Sequence, residues 1–221
     1  GYQVPLYVAD MLALLQQVHK AAPIGSLDWV GTSMGGLIGM GLAGEKSIQP
    51  VLPVPIRRLV LNDVGPVIEP ASLVRIGGYV GKHMVYASEA QAVEALWQLS
   101  RGFGPHTPEE WLALSRPMLR PESGLAVRLH YDPAIGEPMR AMTPEMAAAG
   151  EQVLWQLYDS IGADTLVLRG AESDLLSANT AQSMAERGPR ARVIEFAGVG
   201  HAPTLVSFDQ VAAVLAFLCG S

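Results

Sequence analysis

Apolar residues fall in two kinds of run along the chain, and their order predicts a layered α/β protein. Four short aliphatic runs, at residues 27–30, 57–63, 165–169 and 192–196, predict buried strands. Apolar residues recur at helical spacing between and around them, over 5–20, from 37 to about 44, over 177–187 and over 208–218. Alternating helices and strands favour right-handed crossovers and a parallel sheet.

The middle of the chain has a different pattern. From residue 69 to about 160 we find helical spacing and prolines but no convincing strand, and we expect helices near 71–80, 89–99, 108–119 and 143–158. Thr107 is a good N-cap because a proline and two acids follow it, and Thr143 is followed in the same way by a proline and one acid. We therefore predict a helical cap at 67–160, inserted into a core formed by residues 1–66 and 161–221.

Length, composition and charge narrow the function classes. The chain has 221 residues, enough for one sizeable core, and a net charge of −6, which gives no basic footprint for nucleic acid. No apolar run reaches the length of a membrane span, no signal peptide is visible, and we expect a cytoplasmic protein. The single cysteine, Cys219, lies in an apolar run and is predicted to be a buried thiol. No His/Cys/Asp/Glu cluster has metal-ligand spacing, so we predict no metal.

A candidate nucleophile lies between the first predicted strand and its helix. Ser33 has the surroundings Gly-X-Ser-X-Gly, which favours a sharp, strained strand-to-helix turn. We expect glycine at positions 31 and 35 because the backbones of the strand and the helix approach closely there. The first free N–H of the helix, on Met34, is placed to stabilise an oxyanion. A serine held in this way needs a base to become a nucleophile.

Two further residues follow later strands and supply a base and an acid. His201 follows the last predicted strand, and Asp174 follows the one before it. Parallel sheets collect such positions at one edge, so we predict that His201 takes the proton of Ser33 and that Asp174 orients the imidazole. Glu172 in the same loop and Asp63 after the second strand are the alternative acids, and we favour Asp174.

The three motifs together resemble the α/β-hydrolase superfamily, in its branch with a helical cap after the sixth strand. They are the turn at residues 31–36, the stretch 168–174 and the run Gly200-His201-Ala202-Pro203, in the order nucleophile, acid, base. The resemblance implies an α/β-hydrolase fold and a serine hydrolase, most often an esterase, with no cofactor. It assigns the catalytic roles to Ser33, Asp174 and His201.

One departure from that family concerns the residues ahead of the turn. The family has further strands and a His-Gly-type loop there, which supplies a second oxyanion N–H, and no His-Gly pair occurs in this sequence. We therefore expect the chain to be the C-terminal part of a larger protein, with the missing N-terminal segment as its partner.

Three functions remain open at this stage. The first is a serine hydrolase acting on a small carboxylic ester or related acyl substrate through an acyl-enzyme. The second is a C–C bond hydrolase, which would require a basic group in the cap to bind the carboxylate of its substrate. The candidates are Arg75, Arg101, Arg116 and Arg128. The third is a non-catalytic fragment or binding protein that lacks a complete oxyanion hole.

Overall fold

The first half of the core follows the predicted order of elements. The computed structural model describes residues 1–220, and it begins with helix α1 (Val4–Ala21), strand β1 (Leu27–Thr32), helix α2 (Met34–Gly44) and strand β2 (Ile56–Asn62). Pro5 lies in the first turn of α1, where its missing N–H costs no intrahelical bond. α1 packs on α2, and α2 lies against β1.

The middle of the chain contains helices and also strands that the sequence did not predict. Its elements are α3 (Pro70–Gly77), β3 (Val85–Tyr86), α4 (Glu89–Leu99), α5 (Pro108–Ser115), β4 (Leu119–Pro121), β5 (Val127–Leu129), α6 (Glu137–Arg140) and α7 (Pro144–Asp159). The three strands pair antiparallel in the order β3-β5-β4. The expectation of no strand here was wrong, because strands of two or three residues are too short to produce a readable alternation.

The last part of the chain completes the parallel sheet. Its elements are β6 (Asp164–Gly170), α8 (Ala178–Glu186), β7 (Arg192–Phe196) and α9 (Phe208–Cys219). The sheet order is β1-β2-β6-β7, and every neighbouring pair is parallel. In register, Thr32 pairs with Asn62, and Asn62 pairs with Leu168. The loops that follow these strands therefore open at one edge of the sheet.

Strand β2 shows why its sequence reads as an uninterrupted aliphatic run. Leu59 and Leu61 are fully buried in the larger core cluster, which includes residues of α1, α2 and α8. Val60, between them, is fully buried in a second cluster on the opposite face, where α9 contributes partly buried residues. A strand covered on both faces has no polar side to alternate with. Each such buried side chain contributes about 1.5–3 kcal/mol of hydrophobic free energy.

The single cysteine lies at the surface. The expectation of a buried thiol was wrong, because Cys219 is the exposed last residue of α9, while Val214 and Phe217 of the same helix pack on the sheet.

Within residues 1–220, we find no helix that combines the length and the apolar character required to traverse a bilayer.

Candidate active site

The turn that holds Ser33 joins β1 directly to α2. Ser33 has φ 51° and ψ −118°, a strained conformation for a residue with a side chain. A Cβ on Gly31 would lie 2.3 Å from the carbonyl carbon of Gly35, so the strand and helix backbones meet at Gly31. The backbone of Gly35 takes part in this close approach, but a Cβ on Gly35 would meet no atom within 4 Å, so the approach does not itself require glycine at position 35. The second tight position is instead Gly36, where a Cβ would lie 2.4 Å from a methyl carbon of Val64.

A hydrogen-bonded chain connects Ser33, His201 and Asp63. Nε2 of His201 lies 3.1 Å from Oγ of Ser33, and Nδ1 of His201 lies 2.7 Å from Oδ2 of Asp63. A carboxylate oxygen only accepts, so the imidazole donates its Nδ1–H to Asp63 and presents the Nε2 lone pair to the serine hydroxyl. The side chain of His201 is 9% exposed and that of Asp63 is 0% exposed, which removes solvent screening from their interaction.

Asp63 is held by three donors, two from the end of β6 and its following loop and one from His201. It follows β2 directly and has φ 54°, the left-handed region. Its Oδ1 accepts the N–H of Gly170 at 2.9 Å, and its Oδ2 accepts the hydroxyl of Ser173 at 2.6 Å in addition to His201. A buried carboxylate needs such donors to replace the hydration that it loses on burial. The structure therefore places a fully partnered carboxylate behind the imidazole.

Asp174, the acid that we favoured from the sequence, does not contact His201. Its carboxylate forms a two-point ion pair with Arg75 of α3, with distances of 2.7 and 2.9 Å, and is half exposed. Burial opposes ionisation of Asp174, but the hydrogen bond and charge of Arg75 outweigh it, so the pKa of Asp174 lies below its ordinary value. The expectation that Asp174 orients the imidazole is corrected: Asp63 occupies that position.

The loop after β6 explains this difference. Ser173 Oγ accepts the N–H groups of Leu175 and Leu176, which turns the chain and points the Ser173 side chain inward. The next side chain, Asp174, then points outward to α3, and Glu172 is exposed. Sequence position identified both Asp63 and Asp174 as residues after strands, but the direction of a loop side chain is set by hydrogen bonds that have no sequence pattern of their own.

Asn62 connects the loop of the serine to the loop of the histidine. Its amide Nδ2 donates to Thr32 Oγ1 at 2.9 Å and to the carbonyl of Pro203 at 2.8 Å. The backbone carbonyl of Asn62 accepts the N–H of Ser33 at 3.0 Å. Asn62 is fully buried, so these bonds have no competition from solvent. A single asparagine at a strand end has no sequence pattern that would predict these three contacts.

Met34 is the first residue of α2, with Ser33 as the N-cap. The first N–H groups of a helix have no intrahelical acceptor and carry the positive end of the helix dipole. The Met34 N–H therefore belongs to the positive end of α2, beside Ser33. Its expected role as an oxyanion donor stays a prediction.

The middle segment of the chain contacts the loop that carries His201. The carbonyl of Gly102 accepts the N–H of Gly200, and His106 Nε2 lies 2.7 Å from Thr204 Oγ1. Trp97 and Trp111 pack edge to face beside His106, with ring centroids 5.2 Å apart. The loop that carries His201 is thus fixed by the middle segment as well as by the sheet.

Three of the four arginines proposed for carboxylate binding already pair with acids of the chain. Arg75 pairs with Asp174, and two further pairs follow the same pattern: Arg116 with Glu89 and Arg128 with Glu122. These ion pairs reduce the support for a C–C bond hydrolase. In the same described residues, 1–220, no group of three or more His, Cys, Asp or Glu side chains is arranged to hold a metal ion.

Comparison with known proteins decides the family. A model of the alpha/beta hydrolase family matches residues 2–214. The chain belongs to the α/β-hydrolase family. Its sheet and helices accordingly form an α/β-hydrolase fold with a mostly parallel sheet, as the resemblance implied.

Individual α/β hydrolases give the same assignment. The 3-hydroxybutyrate-oligomer hydrolase of Cupriavidus necator is 44% identical over 225 residues, covering 100% of this chain and 73% of that protein. An α/β hydrolase from Novosphingobium aromaticivorans superposes with a TM-score of 0.80 at 35% identity, over 98% of this chain and 72% of its own. A putative hydrolase from Rickettsia typhi superposes with a TM-score of 0.81 at 28% identity, over 100% of this chain and 70% of its own. The chain is a hydrolase of the α/β type.

Proposed function

We propose that this protein is a serine esterase that cleaves short esters of hydroxy acids through Ser33, His201 and Asp63. The observation that carries the proposal is the hydrogen-bonded chain from Ser33 Oγ through both imidazole nitrogens to a buried carboxylate, with distances of 3.1 and 2.7 Å. An imidazole held between a hydroxyl and a carboxylate in this way is the arrangement that activates a serine.

Acylation uses each of these groups once. As Ser33 Oγ attacks the ester carbonyl carbon, its proton passes to Nε2 of His201. Asp63 stabilises the imidazolium that forms, and the Met34 N–H faces the developing oxyanion. The C–O bond to the alcohol then breaks, and the imidazolium returns its proton to the leaving oxygen. The products of this half are a free alcohol and an acyl group on Ser33.

Deacylation repeats the sequence with water as the nucleophile. His201 takes a proton from water as its oxygen attacks the acyl carbonyl, and it then protonates Ser33 Oγ as that oxygen leaves. The net reaction consumes one ester bond and one water and releases one alcohol and one carboxylic acid. No redox step or cofactor enters this balance.

The substrate class comes from the C. necator relative, whose name describes a hydrolase of 3-hydroxybutyrate oligomers. At 44% identity over the full length of this chain, both the site and the cap are within the compared region. Each ester bond of such an oligomer has a secondary alcohol as its leaving group, and the oligomer carries charge only at its single terminal carboxylate. This chemistry fits a site whose cap arginines largely pair with internal acids.

The test measures hydrolysis of p-nitrophenyl butyrate and of the 3-hydroxybutyrate dimer and trimer, followed by chromatography of the released acid. We expect the wild type to hydrolyse these esters. Ser33→Ala should lower kcat by about 10⁶-fold, as removal of the catalytic serine does in a serine protease. Ser160→Ala, in an exposed serine at the end of α7, is the matched control and should be unchanged. A fluorophosphonate should label Ser33. Wild-type protein that neither labels nor turns over these esters would contradict the proposal and favour a binding role.

A further inference from the structure

We propose that Ser173 is a positioning residue for the acid of this site, a role that rests on the proposed function. Its hydroxyl lies 2.6 Å from Oδ2 of Asp63, the same oxygen that accepts the imidazole N–H of His201. Ser173 does not touch Ser33 or the reacting carbonyl in this arrangement. It would act on the reaction only through the orientation and charge of Asp63.

The hydrogen bonds around Ser173 determine where its proton points. A serine hydroxyl has one proton and two lone pairs. Its oxygen accepts the N–H of Leu175 at 3.2 Å and the N–H of Leu176 at 3.1 Å, which uses both lone pairs. The proton is then directed to Asp63 Oδ2. The serine is therefore a fixed donor, unlike a freely rotating surface hydroxyl.

This donor fixes the rotation of the Asp63 carboxylate. Gly170 holds Oδ1 through a backbone N–H at 2.9 Å, whereas Oδ2 has two donors, Ser173 and His201. Without Ser173, the imidazole N–H would be the remaining donor to Oδ2, and the carboxylate could turn about its Cβ–Cγ bond. A small rotation would misalign the Nε2 lone pair with Ser33, and catalysis is sensitive to such displacements.

The residues next to Ser173 anchor its loop to the cap. The carbonyl of Asp174 accepts the hydroxyl of Ser72, and its carboxylate holds Arg75 at 2.7 Å, both on α3. The N–H of Glu172 donates to Val199 at 2.9 Å, in the loop that leads to His201. Ser173 thus lies between two fixed contacts, which makes its position over Asp63 reproducible.

The test compares variants that retain or lose the hydroxyl. We expect Ser173→Ala to lower kcat by about 10- to 100-fold with KM little changed, the effect of losing a hydrogen bond to a charged group. Ser173→Thr and Ser173→Val have nearly the same volume and differ by hydroxyl against methyl, so Thr should keep most of the activity and Val should not. Ser177→Ala, which loses a hydroxyl that caps α8 in the same segment, is the control that should keep kcat.

A second readout does not depend on turnover. The proton between His201 Nδ1 and Asp63 should give a downfield NMR resonance, which should shift or broaden in Ser173→Ala and Ser173→Val and stay in place in Ser173→Thr and Ser177→Ala. An unchanged resonance and kcat in Ser173→Ala would overturn the proposal. So would an equal loss in the Thr and Val variants, which would mean that loop stability alone matters. If the wild type has no esterase activity, the proposed function fails, and the resonance decides the role of Ser173 by itself.

Discussion

Two residues of the candidate site have positive φ, Ser33 at 51° and Asp63 at 54°. Such conformations cost roughly 1–3 kcal/mol each for residues with a side chain. Backbone hydrogen bonds to the neighbouring strand hold both: the N–H of Ser33 donates to Asn62 of β2, and the N–H of Asp63 donates to Leu168 of β6 at 2.8 Å. The strain brings each side chain out of its strand end toward His201, which a relaxed strand could not do.

The tightest position of the serine turn gives a prediction at the residue scale. Gly31→Ala places a Cβ 2.3 Å from backbone atoms of Gly35, where no flexible side chain can move aside. We expect it to lower the free energy of unfolding by about 1–3 kcal/mol, as overpacking does, and to reduce kcat because the turn must shift. Urea unfolding and esterase kinetics on the same sample measure both.

Gly35→Ala is the matched control for this change. An added Cβ there meets nothing within 4 Å, and Gly35 lies in the first turn of α2, where alanine is favoured over glycine. We expect equal or slightly higher stability. If both variants were equally stable, the close approach of strand and helix at Gly31 would be disproved.

At the scale of elements, the loops after the parallel strands decide the chemistry. The register of β1, β2 and β6 brings their ends to one edge, so both Asp63 and Asp174 were reasonable acids from the sequence. The structure separates them by the direction of their side chains: one faces His201 and the other faces Arg75. Strand positions could be predicted from apolar patterns, whereas this choice depends on long-range hydrogen bonds.

The ion pair between Arg75 and Asp174 predicts a pH-dependent contribution to stability. Arg75 keeps the pKa of Asp174 below its ordinary value, so the stabilisation is present above the unfolded-state pKa, about 3.9, and is lost as pH falls through the folded-state value. Both side chains are half exposed, which limits the contribution to about 0.5 kcal/mol. We expect Arg75→Gln to lower Tm by about 1–2 °C at pH 7.

The pH dependence of that difference is the informative measurement. Thermal unfolding of the wild type and Arg75→Gln between pH 7 and pH 3 should show a Tm difference that disappears in acid. A difference that persists unchanged where Asp174 is protonated would mean that Arg75 acts by packing. A double-mutant cycle with Asp174→Asn should give a coupling energy close to the single Arg75 effect.

At the scale of the whole molecule, the sequence predicted the core better than the middle segment. All four strands of the parallel sheet and their helices lie within a few residues of the expected positions, because β2 and its neighbours are covered on both faces. The small β3-β5-β4 sheet was missed, since its strands have two or three residues. The serine and the histidine were predicted from turn chemistry and chain order, and the structure brings them together. The division into a core and a cap at 67–160 stays a prediction.

The measurement that tests the account most directly is kcat for Asp63→Asn and Asp174→Asn beside the wild type, on the same ester. Asparagine at position 63 carries no charge to stabilise the imidazolium, and its amide group favours the wrong imidazole tautomer. We therefore predict that kcat falls by about 10⁴-fold. Asp174→Asn should stay within about threefold, since it breaks only a half-exposed ion pair. An active Asp63→Asn together with an inactive Asp174→Asn would contradict the account and return the acid to the loop after β6.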